Sequence, residues 1–484
     1  GNKPAISHII DNYDPTTQFV ITLGYYGEQV KNYLNIAYPD INFIFVFVDK
    51  YVGPGSSLGY SLLCAKQYLQ CPFIFHACDT LIFEDVPKNN INWCGVCSKS
   101  NNKQYKKIAT LGKNIINSTE ETYDYIGICG IYNYELFWET LSKIHSHNKN
   151  NKQLSDFNVI MDMIRQQITF EYKYLSTWLD IGNMDSLTFA RNTMHSSYEI
   201  LDKPNEDIYF VNNHVIKYFS DINIVNKRCL RANDTLSGVT PPIIEKISQF
   251  YKYKFIDGEL LSKIVDLNTI TDLIKWSHEN LWKRTFTDDI KFDKLCETFY
   301  KDKTINRVNL FLTNNDIVDR EVIINGLKIP PFNVLIDKVI ISNHIQTIFH
   351  GDFIYDNILK TSEGFTLIDW RHDFAGDIKC GDIYYDLSKL YHNFIINHEI
   401  VEKELYTVIV SDRSITVDIN CKYNLLLQRQ KLENYIDKNY DMKKVKLITS
   451  LIWLNMSPLH SGKFGIFLYY MGLLHLHLII NNRQ

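Results

Sequence analysis

The chain has 484 residues, 45% of them hydrophobic, and a formal net charge of −4. That length accommodates two or three domains, and the charge gives no electrostatic footprint for a nucleic-acid partner. Ten cysteines are scattered, with a lone Cys94-x-x-Cys97 and no second pair at zinc spacing, which argues against a zinc site and suits a reducing cytoplasm.

From the N-terminus, residues 19–24 and 43–49 are apolar runs of strand length, and residues 27–38 between them have a helical pattern. A second helical pattern covers 57–69, and residues 73–79 read as a third strand. Strand alternating with helix predicts an α/β domain with a mainly parallel sheet, whose ligands sit beyond the carboxyl ends of the strands. Asp79 stands at such an end. Pro204-Asn205-Glu206-Asp207 marks a linker, and residues 208–211 and 214–219 flank Asn212-Asn213 as a hairpin with a two-residue turn. Helical patterns dominate from 260 onward, as over 268–283 and 288–302. The most apolar run, 464–480, holds His475 and His477 and is short for a membrane span, so a buried terminal helix is expected. No signal peptide is recognised, and a cytoplasmic location is expected.

Residues 350–371, HGDFIYDNILKTSEGFTLIDWR, carry the strongest chemical signal. His350-Gly351-Asp352 is followed by Asn357, then by two short apolar runs around Thr361-Ser362-Glu363-Gly364, then by Asp369. That pattern reads as a β-hairpin bringing Asn357 and Asp369 to one end, beside Asp352. Carboxylate and amide oxygens suit Mg²⁺, and a separate carboxylate can orient an attacking hydroxyl and accept its proton. The stretch resembles the catalytic core of the aminoglycoside phosphotransferase and choline kinase family, relatives of the protein kinases. The resemblance implies that Asp352 is the catalytic base and that Asn357 and Asp369 are metal ligands. It extends to Val215-Ile216-Lys217, where Lys217 resembles the lysine that binds the ATP phosphates, and to residues 250–260, which resemble the inter-lobe hinge and place Tyr253 and Phe255 at the nucleotide. No glutamate follows Lys217 on the next helix, and Asp234 is the nearest substitute. Gly381-Asp382-Ile383-Tyr384-Tyr385-Asp386-Leu387 resembles another element of the family. There Asp386 is expected to cap a helix, and Asp382 and Arg371 to touch substrate or brace the catalytic loop.

The first 200 residues resemble a sugar-phosphate or choline-phosphate nucleotidyltransferase. Gly53-Pro54-Gly55-Ser56-Ser57-Leu58-Gly59 is similar to a nucleotide-contacting loop, which implies roles for Gly53, Gly55 and Ser56. Phe75-His76-Ala77-Cys78-Asp79 and Trp178-Leu179-Asp180-Ile181-Gly182 resemble the two elements that bring metal aspartates, here Asp79 and Asp180. Tyr125 to Gly130 resembles the strand beside the acceptor phosphate. The family opens with a strand and a Gly-rich loop. Gly1-Asn2-Lys3-Pro4 resembles the stretch after that loop, so the loop is expected to be missing from these residues.

The expected organisation is a Rossmann-like nucleotidyltransferase domain at 1–203, a kinase-like N-lobe and hinge at 204–260, and a helical C-lobe at 261–484. The implied activity is an ATP-dependent kinase for a hydroxyl of choline, a sugar or a polyol. The fused domain would use CTP or another nucleoside triphosphate, with Mg²⁺, to activate the phosphorylated product for bacterial surface polysaccharide. The rival expectation is a non-catalytic ligand-binding or scaffolding protein. Trp276, Trp282 and Trp370 would box a quaternary ammonium or, more in keeping with a chain 13% aromatic, pack the core.

Overall fold

The computed structural model describes residues 2–99, 105–150, 152–194, 205–264, 266–285 and 288–482. The chain forms two compact units, Gly1–Ser220 with Glu245–Lys252, and Asp221–Ile244 with Tyr253–Gln484. The boundary expected at 203/204 falls on residues outside those described.

In the first unit, strands Phe19–Leu23 and Phe43–Phe47 pair in parallel, Phe19 opposite Phe43 and Leu23 opposite Phe47. A parallel pair needs a crossover, and helix Gly27–Ala37 supplies it. That helix buries Tyr33, Leu34, Ile36 and Ala37 in a core completed by Val211, Ile216 and Phe250. The hairpin Glu206–Val211 and His214–Phe219 belongs to the same core and forms as the sequence predicts. Asn212 and Asn213 both adopt left-handed backbone, φ 50° and 59°, as a two-residue hairpin turn requires.

Among the described residues the expected mainly parallel sheet does not form. The third expected strand, Phe73–His76, joins a six-stranded sheet with Glu121–Ile131, Trp93–Ser98, Glu171–Tyr174, Asn114–Ile116 and Lys107–Leu111, in that order. Only the pair Trp93–Ser98 and Glu171–Tyr174 is parallel; the others are antiparallel. The alternation of strand and helix stops near residue 79. Beyond it, short turns such as the one at Gly112, φ 61°, join neighbouring strands and permit only antiparallel pairing.

The second unit is mostly helical. Helix Asp289–Glu297 runs through a π-turn, Thr298–Asp302, into helix Lys303–Asn314. Helices Ile383–Asn393, Met442–Met456 and Gly462–Ile480 form its centre. The last has the length and composition to cross a membrane, yet 72% of its most apolar window is buried in the protein. Gly472 lets it approach its neighbour: a Cβ there would lie 2.7 Å from Leu454 Cγ. The hairpin Ile358–Thr361 and Gly364–Leu367 stands on this unit, with strand Glu259–Leu260 added to its edge.

Candidate active sites

The catalytic-type loop of the second unit is fixed by side chains from distant parts of the sequence. Asp386 accepts the backbone N–H of His350 at 2.8 Å and of Gly351 at 2.7 Å. Gly351 has φ 89°, a conformation that excludes most side chains, and a Cβ there would strike Arg371. His350 is fully buried, and burial pushes its imidazole down to about 4, so it is neutral. Its Nδ1 accepts from the Asp352 N–H at 3.3 Å, and its Nε2 then donates to the Ile368 carbonyl at 3.0 Å. One imidazole thereby ties the residue before Asp369 to the backbone of Asp352. The hairpin closes the same end through the Ile368 N–H to the Asn357 carbonyl, 2.9 Å.

Asp352, Asn357 and Asp369 converge there. The Asn357 amide donates to Asp352 Oδ2 at 3.0 Å and to the Asp352 carbonyl at 2.9 Å. The other carboxylate oxygen, Oδ1, meets Lys389 Nζ at 2.7 Å. Burial pushes the Asp352 carboxyl up, but the Lys389 charge and hydrogen bond outweigh it and hold the group below its ordinary value. Asp369 has φ 57° and pairs with Arg228 at 2.6 Å. An amide oxygen and a carboxylate are hard donors, so Asn357 and Asp369 fit Mg²⁺.

Four of the residues that build this site escape the sequence reading: Lys389, Arg228, Arg231 and His350 in its bridging role. Arg231 is buried and donates to the carbonyls of Phe349 and Arg371. Arg228 and Arg231 lie on helix Ile222–Asn233, where the resemblance implies a glutamate and no arginine. Asp234 ends that helix at an exposed position. The sequence signal for Lys389 was available: a single lysine in a helix, Ile383–Asn393, whose other positions are all buried too.

The roles expected of the Gly381–Leu387 stretch are corrected. Asp382, not Asp386, caps the helix, accepting the Tyr384 N–H, while Asp386 lies one turn inside and braces the catalytic loop. Asp382 also meets His344 at 3.0 Å, Tyr300 at 3.2 Å and Lys444 at 3.2 Å. Cys296, His344 and Asp382 are close enough together to hold a metal, but the Lys444 ammonium already supplies the cation. Trp282 and Trp370 are core residues. Their indole N–H groups donate to Asp386 and to the Arg228 carbonyl.

Tyr253 is buried at the end of strand Phe250–Lys254, its ring 6.4 Å from Trp370. Phe255 follows directly, in the connection to strand Glu259–Leu260. Lys217 lies in the first unit, buried on strand His214–Phe219 opposite Ile208.

In the first unit, strands Thr80–Ile82 and Trp178–Asp180 pair antiparallel, with Asp180 opposite Thr80. The Ile181 N–H donates to the Asp79 carbonyl at 2.9 Å. Asp79 and Asp180 therefore face each other across Gly182: a Cβ there would lie 3.1 Å from an oxygen of each. Burial, with a contribution from the Asp180 charge, raises the Asp79 carboxyl above its ordinary value. Asp180 is oriented by the Gly182 N–H at 2.8 Å, Tyr105 at 2.8 Å and Ser186 at 3.0 Å. Two carboxylates with open space between them fit Mg²⁺. Gly127, φ 80°, lets the strand Glu121–Ile131 press on Ala77 and Thr80 and so fixes the Asp79 turn. Tyr125, at the start of the expected acceptor strand, instead points into the core and bonds Asp156. Gly53 and Gly55, φ 83° and 84°, shape the loop before helix Leu58–Ala65, and Ser56 Oγ donates to the Gly53 carbonyl at 2.7 Å. Among the described residues, no hydrogen bond joins that loop to either aspartate.

No family model matches the chain, and no curated protein matches it. Solved structures do. The CTP:phosphocholine cytidylyltransferase of Streptococcus pneumoniae is 17% identical over 40% of this chain and 87% of its own, with a TM-score of 0.35. The ethanolamine kinase of Plasmodium vivax is 13% identical over 62% and 89%, TM-score 0.36. An aminoglycoside phosphotransferase is 9% identical over 62% and 99%, TM-score 0.34. The similar structures are thus of the two kinds that the sequence motifs resemble. The chain itself folds as a mixed α/β unit followed by a mostly helical one.

Proposed function

We propose that the chain is a bifunctional transferase, with a nucleotidyltransferase domain at 1–203, a kinase-like N-lobe and hinge at 204–260 and a catalytic lobe at 261–484. Its kinase part moves the γ-phosphoryl group of ATP to a hydroxyl of a small molecule. The observation that carries this reading is the division of labour at Asp352, whose one oxygen faces the candidate metal ligand Asn357 and the other Lys389. In the reaction the acceptor oxygen bonds to the γ-phosphorus, the bond to the β-phosphate oxygen breaks, and ADP leaves. Asp352 orients the hydroxyl and takes its proton. A carboxylate held at a low pKa is a weak base, which suits a loose transition state in which the proton moves late. Asn357 and Asp369 hold Mg²⁺, which offsets charge on the phosphates when bound. Lys217 binds the α and β phosphates, and Tyr253 and Phe255 border the adenine.

In the first domain, Asp79 and Asp180 hold Mg²⁺, and Gly53, Gly55 and Ser56 line the nucleotide. The phosphorylated product attacks the α-phosphorus of CTP or another nucleoside triphosphate, and pyrophosphate departs. The activated product suits the cytoplasmic synthesis of bacterial surface polysaccharide. The test is ADP release from Mg²⁺-ATP with a panel of alcohols, the wild type beside Asp352→Asn. Acceptor-dependent ADP release that needs Asp352 supports the kinase reading. Equal rates in both proteins would defeat it and favour a ligand-binding role.

A further inference from the structure

We propose that the acceptor of the kinase part is an anionic alcohol, one that already carries a phosphate or a carboxylate, bound by Lys303, Arg307 and Arg371. The inference rests on the kinase reading and narrows its substrate class.

The geometry begins at Phe299. Lys303 Nζ lies 4.3 Å from the centre of that ring, and Arg371 Cζ lies 5.0 Å from it. Two cations from separate elements therefore gather at one aromatic side chain. Arg307 is one helical turn beyond Lys303, on the same face of helix Lys303–Asn314. Arg371 packs against Gly351, the residue before Asp352, and its backbone N–H bonds the His350 carbonyl at 3.0 Å. Lys389, paired with Asp352, stands near enough for its charge to act on Lys303.

None of the three has a carboxylate partner among the described residues: no carboxylate lies within 4 Å of the charged nitrogens of Lys303, Arg307 or Arg371. The polar contacts of the two arginines go to backbone carbonyls, Arg307 to Asn455 at 3.0 Å and Arg371 to Asp373 at 2.9 Å. The Asp373 carboxylate is taken by Lys227. Burial pushes the Lys303 ammonium down to about 5, and Arg371, Arg307 and Lys389 push in the same direction, with only the smaller effect of Asp373 opposing them. Basic groups crowded together with too little counter-charge are what a bound anion would hold in their charged forms.

On this proposal the Lys389 side of Asp352 is the acceptor side. Asp352 turns Oδ2 to Asn357 and Oδ1 to Lys389, and Lys389 is near enough to the cluster for its charge to act on Lys303 and for that of Arg371 to act on it. A hydroxyl presented to Asp352 from that side brings the rest of its molecule against Lys303, Arg307 and Arg371. A quaternary ammonium would meet like charge there, and neither Trp282 nor Trp370 is available to box it, since both are buried in the core.

The experiment measures ADP release from Mg²⁺-ATP by the full chain with glycerol 3-phosphate, gluconate, glycerol and choline. The expected result is a kcat/KM for at least one anionic alcohol tenfold or more above those for glycerol and choline; the two anions separate phosphate from carboxylate recognition. Lys303→Met should raise KM for that acceptor tenfold or more with KM for ATP unchanged, and Lys303→Arg should restore it. Preference for glycerol or choline overturns the inference and leaves the kinase reading standing. So does an acceptor KM indifferent to Lys303→Met. Mg²⁺-ATP bound without turnover of either anion also overturns the inference alone. Failure to bind Mg²⁺-ATP in a calorimetric titration overturns both.

Discussion

Asp386 holds the Gly351 N–H at 2.7 Å, and through that one bond a residue in the first turn of a buried helix sets the turn that carries Asp352. The same carboxylate accepts from His350 and from the Trp282 indole, at 2.8 and 3.1 Å. Burial raises it to about 6, while the amides and the Arg231 charge act against that rise. Asp386→Ala strands three donors and removes the carboxylate that most offsets the buried Arg231 charge. Removing one partner of a buried charged network costs about 3–5 kcal/mol, and a loss of that size is expected in denaturant unfolding. Asp386→Asn keeps one acceptor oxygen and should lose less. A loss below about 1 kcal/mol for the alanine variant would contradict the bracing role.

Asp369 adopts φ 57°, which asparagine also tolerates. Asp369→Asn should therefore keep the fold, by circular dichroism and melting midpoint, and lose Mg²⁺-dependent ATP turnover because a charged ligand is gone. Full turnover in this variant would remove Asp369 from the metal site.

Asp352→Asn should separate binding from chemistry. Loss of orientation and general-base assistance is worth about 10²–10⁴-fold in rate, with ATP affinity in Mg²⁺ nearly unchanged because other residues hold the phosphates. Parallel loss of affinity and rate would make Asp352 a nucleotide or metal residue instead.

Local features were legible in the sequence. The Asn212-Asn213 turn, the Ile358–Leu367 hairpin and the crossover between Phe19–Leu23 and Phe43–Phe47 are each set by a few neighbouring residues. What failed depends on partners far along the chain. The strand Phe73–His76 looks like its two predecessors, yet pairs antiparallel with Glu121–Ile131, some fifty residues on. Asp382 and Asp386 sit four residues apart at the start of one helix, and only the three-dimensional path of residues 350–351 shows which of them braces the loop. Arg228 and Lys389 gain meaning only from Asp369 and Asp352, more than thirty residues away in each case.

In the first unit, Gly182 offers a test that leaves both aspartates in place. Its φ is outside the positive range, so alanine is permitted by the backbone, but the new methyl would lie 3.1 Å from an oxygen of Asp79 and of Asp180. Gly182→Ala should weaken Mn²⁺ binding, followed by electron paramagnetic resonance, by tenfold or more with little change in melting midpoint. Asp79→Ala should abolish the same signal. Unchanged Mn²⁺ affinity in both would mean that the space between the carboxylates is not an ion site.

The last prediction concerns pH and the pair Lys389–Asp352. Burial alone would raise the Asp352 carboxyl; Lys389, 2.7 Å away, brings it below its ordinary value. With the folded pKa depressed, the stability that the pair contributes is present above the ordinary carboxylate range and lost as pH falls through the folded value. Turnover should follow the same ionisation. In the wild type the acid limb of kcat belongs below about pH 4, the ordinary carboxylate range, so the rate should be insensitive to this group near neutrality. Lys389→Met removes the charge and keeps the length of the side chain. Burial then prevails, and the acid limb should move upward by one pH unit or more, with the residual rate recovered at higher pH. A merely structural lysine would lower the rate equally at every pH. A flat loss of that kind would show that Lys389 does not set the ionisation of Asp352.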